Sequence, residues 1–280
     1  MGDFVNMLHD PFTEPVFCIM VYAIVFLFGI CIGSFLNVVI LRIPAGESLT
    51  KKSSHCMTCQ AKIRWCDMIP VFSWLILRGK CHSCGQKISP RYPVVEALNG
   101  IMYVLTFWVM DINAESIITC VLMSMLIVVG FIDWDTLEIH ESMLLIIGVI
   151  AVLLAVFTDT LELSERIIGA LVISVPFFII GEVSRIYIKK KHGEDYRGIE
   201  LGDTLLMIAG GAVVGTRAVI VSALVGIVSA ALVGLIRKMI TGESKFAFGP
   251  FLSIGLAVGV LWGNRLADWY IGLLTAPVQP

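Results

Sequence analysis

Charged residues are scarce in this sequence. Asp, Glu, Lys and Arg make up only 15% of its 280 residues, whereas hydrophobic residues make up 58%. About a quarter of the residues in an ordinary soluble domain are charged, so the composition excludes an ordinary soluble domain. The chain also lacks internal repeats and low-complexity tracts, and no repeat architecture is predicted. What remains is a membrane protein with several spans.

Long apolar runs predict the spans. A membrane-spanning helix needs about 20 apolar residues, or somewhat fewer where the helix is buried among others. The first run has no basic residue before it and no small-residue cleavage site after it, so we interpret it as a retained helix. We therefore expect an all-α polytopic membrane protein with about eight transmembrane helices. The predicted spans are 16–40, 93–110, 116–132, 143–157, 167–188, 203–216, 218–236 and 250–266.

Lys and Arg are distributed unevenly between the two sides of these spans. The segment from Arg42 to Arg91 holds nine of the twenty, Arg185 to Arg197 holds five, and Arg237 and Lys238 begin a third cluster. Cytoplasmic loops collect Lys and Arg, and with eight spans all three clusters fall on one side. The sequence therefore predicts both termini outside and three basic cytoplasmic loops. Arg166, Arg217 and Arg265 fall at the opposite side.

One polar insert interrupts the apolar pattern. It covers residues 45–92 and is the only segment long enough for a small cytoplasmic domain. The predicted organisation is a first transmembrane helix (1–44), this insert (45–92) and a seven-helix membrane domain (93–280).

Two Cys-x-x-Cys knuckles lie within the insert. Two such knuckles at this separation converge four thiolates on one tetrahedral Zn²⁺ in zinc ribbons. Disulfides and unmetallated thiols are the alternatives, but disulfides rarely persist in the reducing cytoplasm. A segment of under fifty residues buries little core, so the metal would be structural and supply folding energy. The predicted ligands are Cys56, Cys59, Cys81 and Cys84, with His55 or His82 as possible substitutes.

Acidic residues at span ends are candidate functional groups, because ionised side chains there need a partner or a water-filled cavity. Asp133 and Asp135 close the third predicted span and Asp203 opens the sixth, all at the predicted cytoplasmic face. We interpret Glu182 as a packing or tunnel residue and Asp268 as a carboxylate at the far interface. Glu96 lies in the second predicted span.

Asp133 and Asp203 can meet at one depth on helices that are not adjacent in sequence. Two facing carboxylates share a proton and titrate as a pair. Aspartic proteolysis needs this arrangement, because one carboxylate activates water and the other protonates the developing oxyanion. The alternatives are structural, with Asp203 as a first-turn acid of the sixth helix and Asp133 as a span-terminating residue.

The chain resembles the bacterial type IV prepilin peptidases along nearly its whole length. "GSFLNVVILRIP" from Gly33 to Pro44 resembles the family's amino-terminal signature. Between and after the cysteine knuckles, "CDMIPVFSWLILRGK" and "ISPRYPVVEALNG" match further family positions. "FIDWDTLEI" and Leu-Gly-Asp resemble the two catalytic aspartate motifs, and "FAFGPFLSIG" resembles the start of the last span.

The resemblance implies a membrane aspartic endopeptidase of the Gly-x-Gly-Asp class, with Asp133 and Asp203 as its catalytic residues. Its partners would be prepilins and pseudopilins and the lipid bilayer, with no nucleic acid. It would cut after Gly at the cytoplasmic face of the bacterial inner membrane. Many members also methylate the new amino terminus with S-adenosylmethionine, and no Gly-x-Gly-x-x-Gly motif locates that cofactor here.

The chain departs from the family pattern at three places near the aspartates. Glu200 replaces the first Gly of Gly-x-Gly-Asp, and Leu205 stands where Lys is frequent. Ile139-His140-Glu141 replaces the usual Leu-Pro-Asp or Leu-Pro-Asn. An added acid and a lost cation make the site more acidic, so we expect active chemistry with a shifted pH optimum, and a degenerate protease is the alternative.

A function of another class stays open at this point. The chain could be a noncatalytic membrane scaffold or an ion- or proton-coupled transporter that uses its acids as an ion path and the insert for docking. A transporter places such acids near the bilayer midplane, whereas these acids lie at one edge.

Overall fold

The secondary structure of the described chain is helical. A computed structural model describes residues 15–51, 53–158, 160–193, 197–242 and 246–275. Besides a 3₁₀ turn at Trp65–Met68, these residues form nine α-helices. Their bounds are α1 Pro15–Arg42, α2 Phe72–Ile76, α3 Arg91–Met110, α4 Ala114–Thr136, α5 Glu141–Phe157, α6 Leu163–Val172, α7 Ser174–His192, α8 Leu201–Thr241 and α9 Gly249–Thr275.

Six stretches of helix are long and apolar enough to cross a membrane, and α5 is a shorter apolar helix. The stretches are α1, α3, α4, the pair α6–α7, α8 and α9. The expectation of an all-α polytopic membrane protein is thus confirmed. The eight predicted spans map onto these helices, because α5 takes the fourth and the 41-residue α8 contains both the sixth and the seventh.

The chain forms two compact units, Met1–Ser124 and Met125–Pro280, and the division falls within α4. The three-part organisation inferred from the sequence stays a prediction.

In the amino-terminal unit, glycines let α1 and α3 approach closely. A Cβ atom at Gly29 would lie 2.7 Å from the Cα of Gly100, and one at Gly33 would lie 2.7 Å from the Cα of Glu96. The side chain of Asn99 donates to the carbonyl of Gly29 at 2.7 Å. Close helix contact through small residues is a common way of packing helices in membranes.

In the carboxyl-terminal unit, α8 is broken at Gly215, whose φ of 79° is left-handed. Gly210, before the break, packs against Leu256 of α9, while Gly226, after it, packs against Phe251 and Leu252. Just after the break, Ala218 contacts Gly263, farther along α9 than Leu252, so the second half runs antiparallel to α9 and the first half runs parallel to it. Gly215 allows this reversal within a single residue because it has no Cβ.

Arg166 stabilises the end of this unit where α8 reverses. Arg166 is only 4% exposed, and its guanidinium donates to the carbonyl of Ala212 at 3.2 Å and to that of Leu154 at 3.3 Å. Both carbonyls lie in the last turn of a helix segment, where they attract positive charge, and the carbonyl of Leu154 also accepts from the amide of Thr158 at 3.1 Å. Arg166 is therefore a buried cap rather than a loop residue at the membrane surface.

Candidate active site and metal cluster

Asp133 lies one turn before the end of α4 and is 4% exposed. Its Oδ2 accepts a hydrogen bond from the backbone amide of Gly249 at 2.8 Å. Gly249 is the first residue of α9, so Asp133 binds one of the amides that a helix amino terminus leaves unpaired. A Cβ atom at Gly249 would lie 2.8 Å from the same oxygen. The carboxylate therefore occupies space that only glycine leaves open.

Asp203 lies in the first turn of α8 and is 5% exposed. Its Oδ2 accepts from the backbone amide of Glu200 at 3.1 Å, and the Glu200 side chain accepts in return from the backbone of Asp203. This reciprocal pair is a capping box. The structural role considered for Asp203 as a first-turn acid is thus present, and it uses only one of the two carboxylate oxygens.

The fold brings Asp133 and Asp203 to one end of the carboxyl-terminal unit, where their charges interact. Gly249 at the amino end of α9 contacts Asp133 near the carboxyl end of α4. Helices α8 and α9 also pack against each other. The amino ends of α8 and α9 therefore lie beside the carboxyl end of α4. Most of the unit's Lys and Arg lie at this end, in α7 and at the end of α8. Two carboxylates 70 positions apart in the sequence therefore form one buried acidic pair.

Glu200 adds a third acid beside the pair. Its side chain is partly exposed and interacts with Asp133, Glu138 and Arg197. Partial burial raises the pKa of Glu200 above its ordinary value of 4.5, and the charges of Asp133 and Glu138 raise it further, whereas Arg197 lowers it. The site is more acidic than two aspartates alone, as the sequence predicted.

The other departures from the family pattern have local structural roles. His140 is the N-cap of α5, and its side chain accepts from the amide of Ser142 at 3.3 Å. Ile139 packs on Gly202, where a Cβ atom would lie 3.0 Å from the Cβ of Ile139. Gly202 therefore brings the loop after α4 against the start of α8. Leu205 is 38% exposed.

The remaining acidic candidates lie elsewhere. Asp135 is exposed near the end of α4. Glu96 is buried in the amino-terminal unit, where it accepts from the amide of Val71 at 2.6 Å. Asp268 forms an exposed ion pair with Arg217 at 3.2 Å. Glu182 is about 30% exposed and binds Arg197 at 2.5 Å, so its interpretation as a packing or tunnel residue is wrong.

The four predicted cysteines form one cluster in the amino-terminal unit. The sulfur atoms of Cys56, Cys59, Cys81 and Cys84 all lie within 4.8 Å of one another. The Sγ atoms of Cys56 and Cys84 are 3.9 Å apart, far beyond a disulfide bond. This separation matches two thiolates on one tetrahedral zinc at about 2.3 Å each. His55 and His82 are not members of the cluster.

The two knuckles share one backbone plan. The carbonyl of Cys56 accepts from the amide of Gln60, and the carbonyl of Cys81 accepts from the amide of Gly85, both at 2.9 Å. Isolated β-bridges His55↔Lys62 and Lys80↔Lys87 close the two loops. Gln60 and Gly85 both have positive φ. The four sulfurs are therefore presented by two equivalent turns, which suits a structural metal site.

Two residues near the acids had no role assigned from the sequence. Gly249 was visible only as part of "FAFGPFLSIG", where Gly-Pro marks the start of a helix. Arg197 was visible only as one basic residue of a cytoplasmic loop. Nothing local in the sequence connects either residue with an aspartate.

Comparison with known proteins gives a consistent result. The model described as "Bacterial Peptidase A24 N-terminal domain" matches residues 27–110, and the model described as "Type IV leader peptidase family" matches residues 120–235. A "Type 4 prepilin-like proteins leader peptide-processing enzyme" of Escherichia coli O78:H11 is 34% identical over 89% of this chain and 96% of its own length. A "Prepilin leader peptidase/N-methyltransferase" of Neisseria gonorrhoeae is 30% identical over 96% of this chain and 98% of its own. No solved structure matches. The chain belongs to the type IV leader peptidase family.

Proposed function

We propose that the chain is a membrane aspartic endopeptidase in which Asp133 and Asp203 are the catalytic pair. One observation carries this assignment. The two aspartates are both buried and interact at the same end of the carboxyl-terminal unit. Each uses one oxygen to bind a backbone amide at the start of a helix, so each is held in place with its other oxygen available.

The reaction follows from one proton shared between two carboxylates. The ionised carboxylate takes a proton from a water molecule as that water attacks the scissile carbonyl. The protonated carboxylate donates its proton to the oxygen on which charge develops. Collapse of the tetrahedral intermediate then breaks the C–N bond: the carboxyl group that took the proton from water gives it to the leaving amine, and the other carboxylate takes a proton back from a hydroxyl of the intermediate, so the pair again shares one proton. The backbone anchors at Glu200 and Gly249 hold the two oxygens fixed through these steps.

The substrates we propose are prepilins and pseudopilins, cut after the Gly that precedes their apolar helix. Family membership supports this choice, since the relatives are named for prepilin leader processing. We place the enzyme in the bacterial inner membrane with its site at the cytoplasmic face. The support is that the acidic pair lies at the end of its unit that carries most of the Lys and Arg.

The test is cleavage of a prepilin in membranes that contain the full chain. Asp133→Asn and Asp203→Asn should each abolish removal of the leader, because an amide neither accepts the proton from water nor shares one. Asp135→Asn is the matched control, since it changes an exposed carboxylate two residues from Asp133 and should leave cleavage intact. Normal cleavage by either of the first two variants would refute the catalytic pair.

We further propose that the cysteine cluster holds one structural Zn²⁺. The sulfur separations fit a tetrahedral four-thiolate site, and such a closed site leaves no position for a substrate. The metal would stabilise the fold of the insert by joining its two knuckles. No catalytic step passes through it.

The methyltransferase part of the relatives' names implies S-adenosylmethionine, and we propose that this chain also methylates the new amino terminus. Among the described residues of the amino-terminal unit, the buried side chains of Asn99, Tyr103 and Ser124 hydrogen-bond to one another, and Glu96 accepts from the amide of Val71. The mass of the mature pilin amino terminus tests the proposal, which fails if no methyl group is added.

The scaffold or transporter alternative is not favoured. The paired acids lie at helix ends rather than mid-helix, and the family is one of peptidases.

A further inference from the structure

Residues 197–200, which lead into α8, are fixed to a single stretch of α7. The guanidinium of Arg197 binds the carboxylate of Glu182 at 2.5 Å. The amide of Gly198 donates to the hydroxyl of Ser184 at 2.9 Å. The carbonyl of Ile199 lies against Gly181, where an added Cβ atom would be 2.8 Å away. Three consecutive residues therefore each contact α7 within residues 181–184.

The same segment determines the direction of the Asp203 carboxylate. Asp203 accepts from the amide of Glu200, the residue that immediately follows this triple contact. A shift of Ile199 and Glu200 along α7 would move that amide and carry the bound carboxylate oxygen with it. The position of Asp203 relative to Asp133 thus depends on contacts made one helix away from either residue.

Arg197 also bears on the charge of the site. It interacts with Glu200 and opposes the effect of Asp133 and Glu138 on that residue. The side chains of Arg197 and Glu182 are 26% and 30% exposed, so the pair is only partly screened by solvent. Among the described residues, the charged groups that act on Glu200 are Asp133, Glu138 and Arg197. Arg197 in turn binds Glu182 on α7, which Arg185 approaches at 3.9 Å.

We propose that Arg197, held by Glu182, is a positioning residue for Asp203 and the cation that balances Glu200. It anchors the segment that orients the carboxylate, and its charge offsets the additional acid that this chain carries beside the pair. The inference rests on the proposed function, because it takes Asp203 to be catalytic.

The experiment compares four variants of the full-length chain in membranes, with cleavage of one prepilin measured over a range of pH. Arg197→Met should lower kcat roughly tenfold or more, as small displacements of catalytic groups do, with KM within about twofold of wild type. Its pH profile should move to higher pH by roughly half a unit, because loss of a nearby cation disfavours ionised carboxylates. Glu182→Gln should lower kcat as well, because Arg197 loses its anchor.

Arg197→Lys and Arg185→Met separate charge from structure. Lys keeps the charge without the planar fork, so its pH profile should match wild type while kcat falls severalfold. Arg185 also approaches Glu182, at 3.9 Å, but lies on α7 itself, so Arg185→Met should behave as wild type. If Arg197→Met fails to fold, as judged by its melting temperature, Arg197→Lys and Glu182→Gln decide the matter.

Wild-type kcat and an unchanged pH profile in Glu182→Gln, Arg197→Lys and every folded Arg197 variant would overturn this inference alone. Loss of cleavage in Asp203→Asn would still support the catalytic pair. Normal cleavage in Asp203→Asn would remove both proposals together.

Discussion

Replacing Gly249 by Ala tests the site at its tightest contact. The added Cβ atom would lie 2.8 Å from Oδ2, 2.9 Å from Cγ and 3.1 Å from Cβ of Asp133. The added Cβ atom and the Asp133 carboxylate cannot both occupy these positions. Asp133 must therefore turn away from the amide of Gly249, and the hydrogen bond of 2.8 Å is lost.

The expected loss follows from the strength of that bond. A hydrogen bond to a charged group contributes about 1.5–3 kcal/mol, and each 1.36 kcal/mol is a factor of ten in rate. Gly249→Ala should therefore lower kcat for prepilin cleavage by roughly 10- to 100-fold. KM should change little, since the amide binds the enzyme's own carboxylate rather than the substrate.

The matched control is Gly148→Ala in α5, where the added Cβ atom meets nothing within 4 Å. Alanine is favoured over glycine in a helix by up to about 1 kcal/mol, so this variant should be fully active and slightly more stable. Single-turnover cleavage in membranes measures the rate, and thermal unfolding in detergent checks the fold. A folded Gly249→Ala protein with the kcat of Gly148→Ala would refute the proposed anchoring of Asp133.

Three further predictions follow from other parts of the molecule. Cys59→Ser should lower bound zinc from about one per chain and destabilise the insert, whereas Cys66→Ser, outside the cluster, should leave metal content unchanged by elemental analysis. Arg166→Met should reduce the free energy of unfolding by about 2 kcal/mol, since it removes two buried hydrogen bonds from a charged donor, whereas Arg217→Met, in an exposed pair, should cost under about 1 kcal/mol; equal melting temperatures would contradict the capping role. The pKa of Glu200 is raised in the folded chain, so its contribution to stability is present below pH 4.5 and is lost as pH rises through the higher folded pKa. Glu200→Gln should therefore unfold at a higher temperature than wild type near pH 7 and lose that advantage toward pH 4, and a constant difference across this range would refute the raised pKa.

Local patterns predicted the helices and the cysteine cluster. Apolar runs gave the spans because each must bury about 20 residues in lipid, and even the boundary between the sixth and seventh spans falls beside Gly215. The cysteine spacing predicted one cluster because two short knuckles can converge without long-range information. The exception is Gln60, which takes a positive φ that glycine takes at the equivalent position, Gly85.

Contacts between distant residues could not be predicted in the same way. The hydrogen bond between Gly249 and Asp133 joins positions 116 residues apart, and no periodicity in either segment encodes it. Arg166 has the sequence signature of a basic loop residue, and its burial depends on where α5 ends and where α8 is broken at Gly215. Glu182 is a lone acid in an apolar helix, and its partner Arg197 is visible only once the loop is placed on α7.

The break at Gly215 has a consequence for the surrounding lipid. Residues 201–214 form a half-helix of 14 residues, about 21 Å long at 1.5 Å per residue. A typical hydrocarbon core is about 30 Å thick, and a hydrophobic segment shorter than this is accommodated by local thinning of the bilayer. Lipids with longer acyl chains would draw the start of this half-helix, and Asp203 with it, further from the aqueous phase. Proteolysis by the reconstituted enzyme should therefore slow as acyl-chain length increases, so that membrane thickness acts as a physical regulator of hydrolysis.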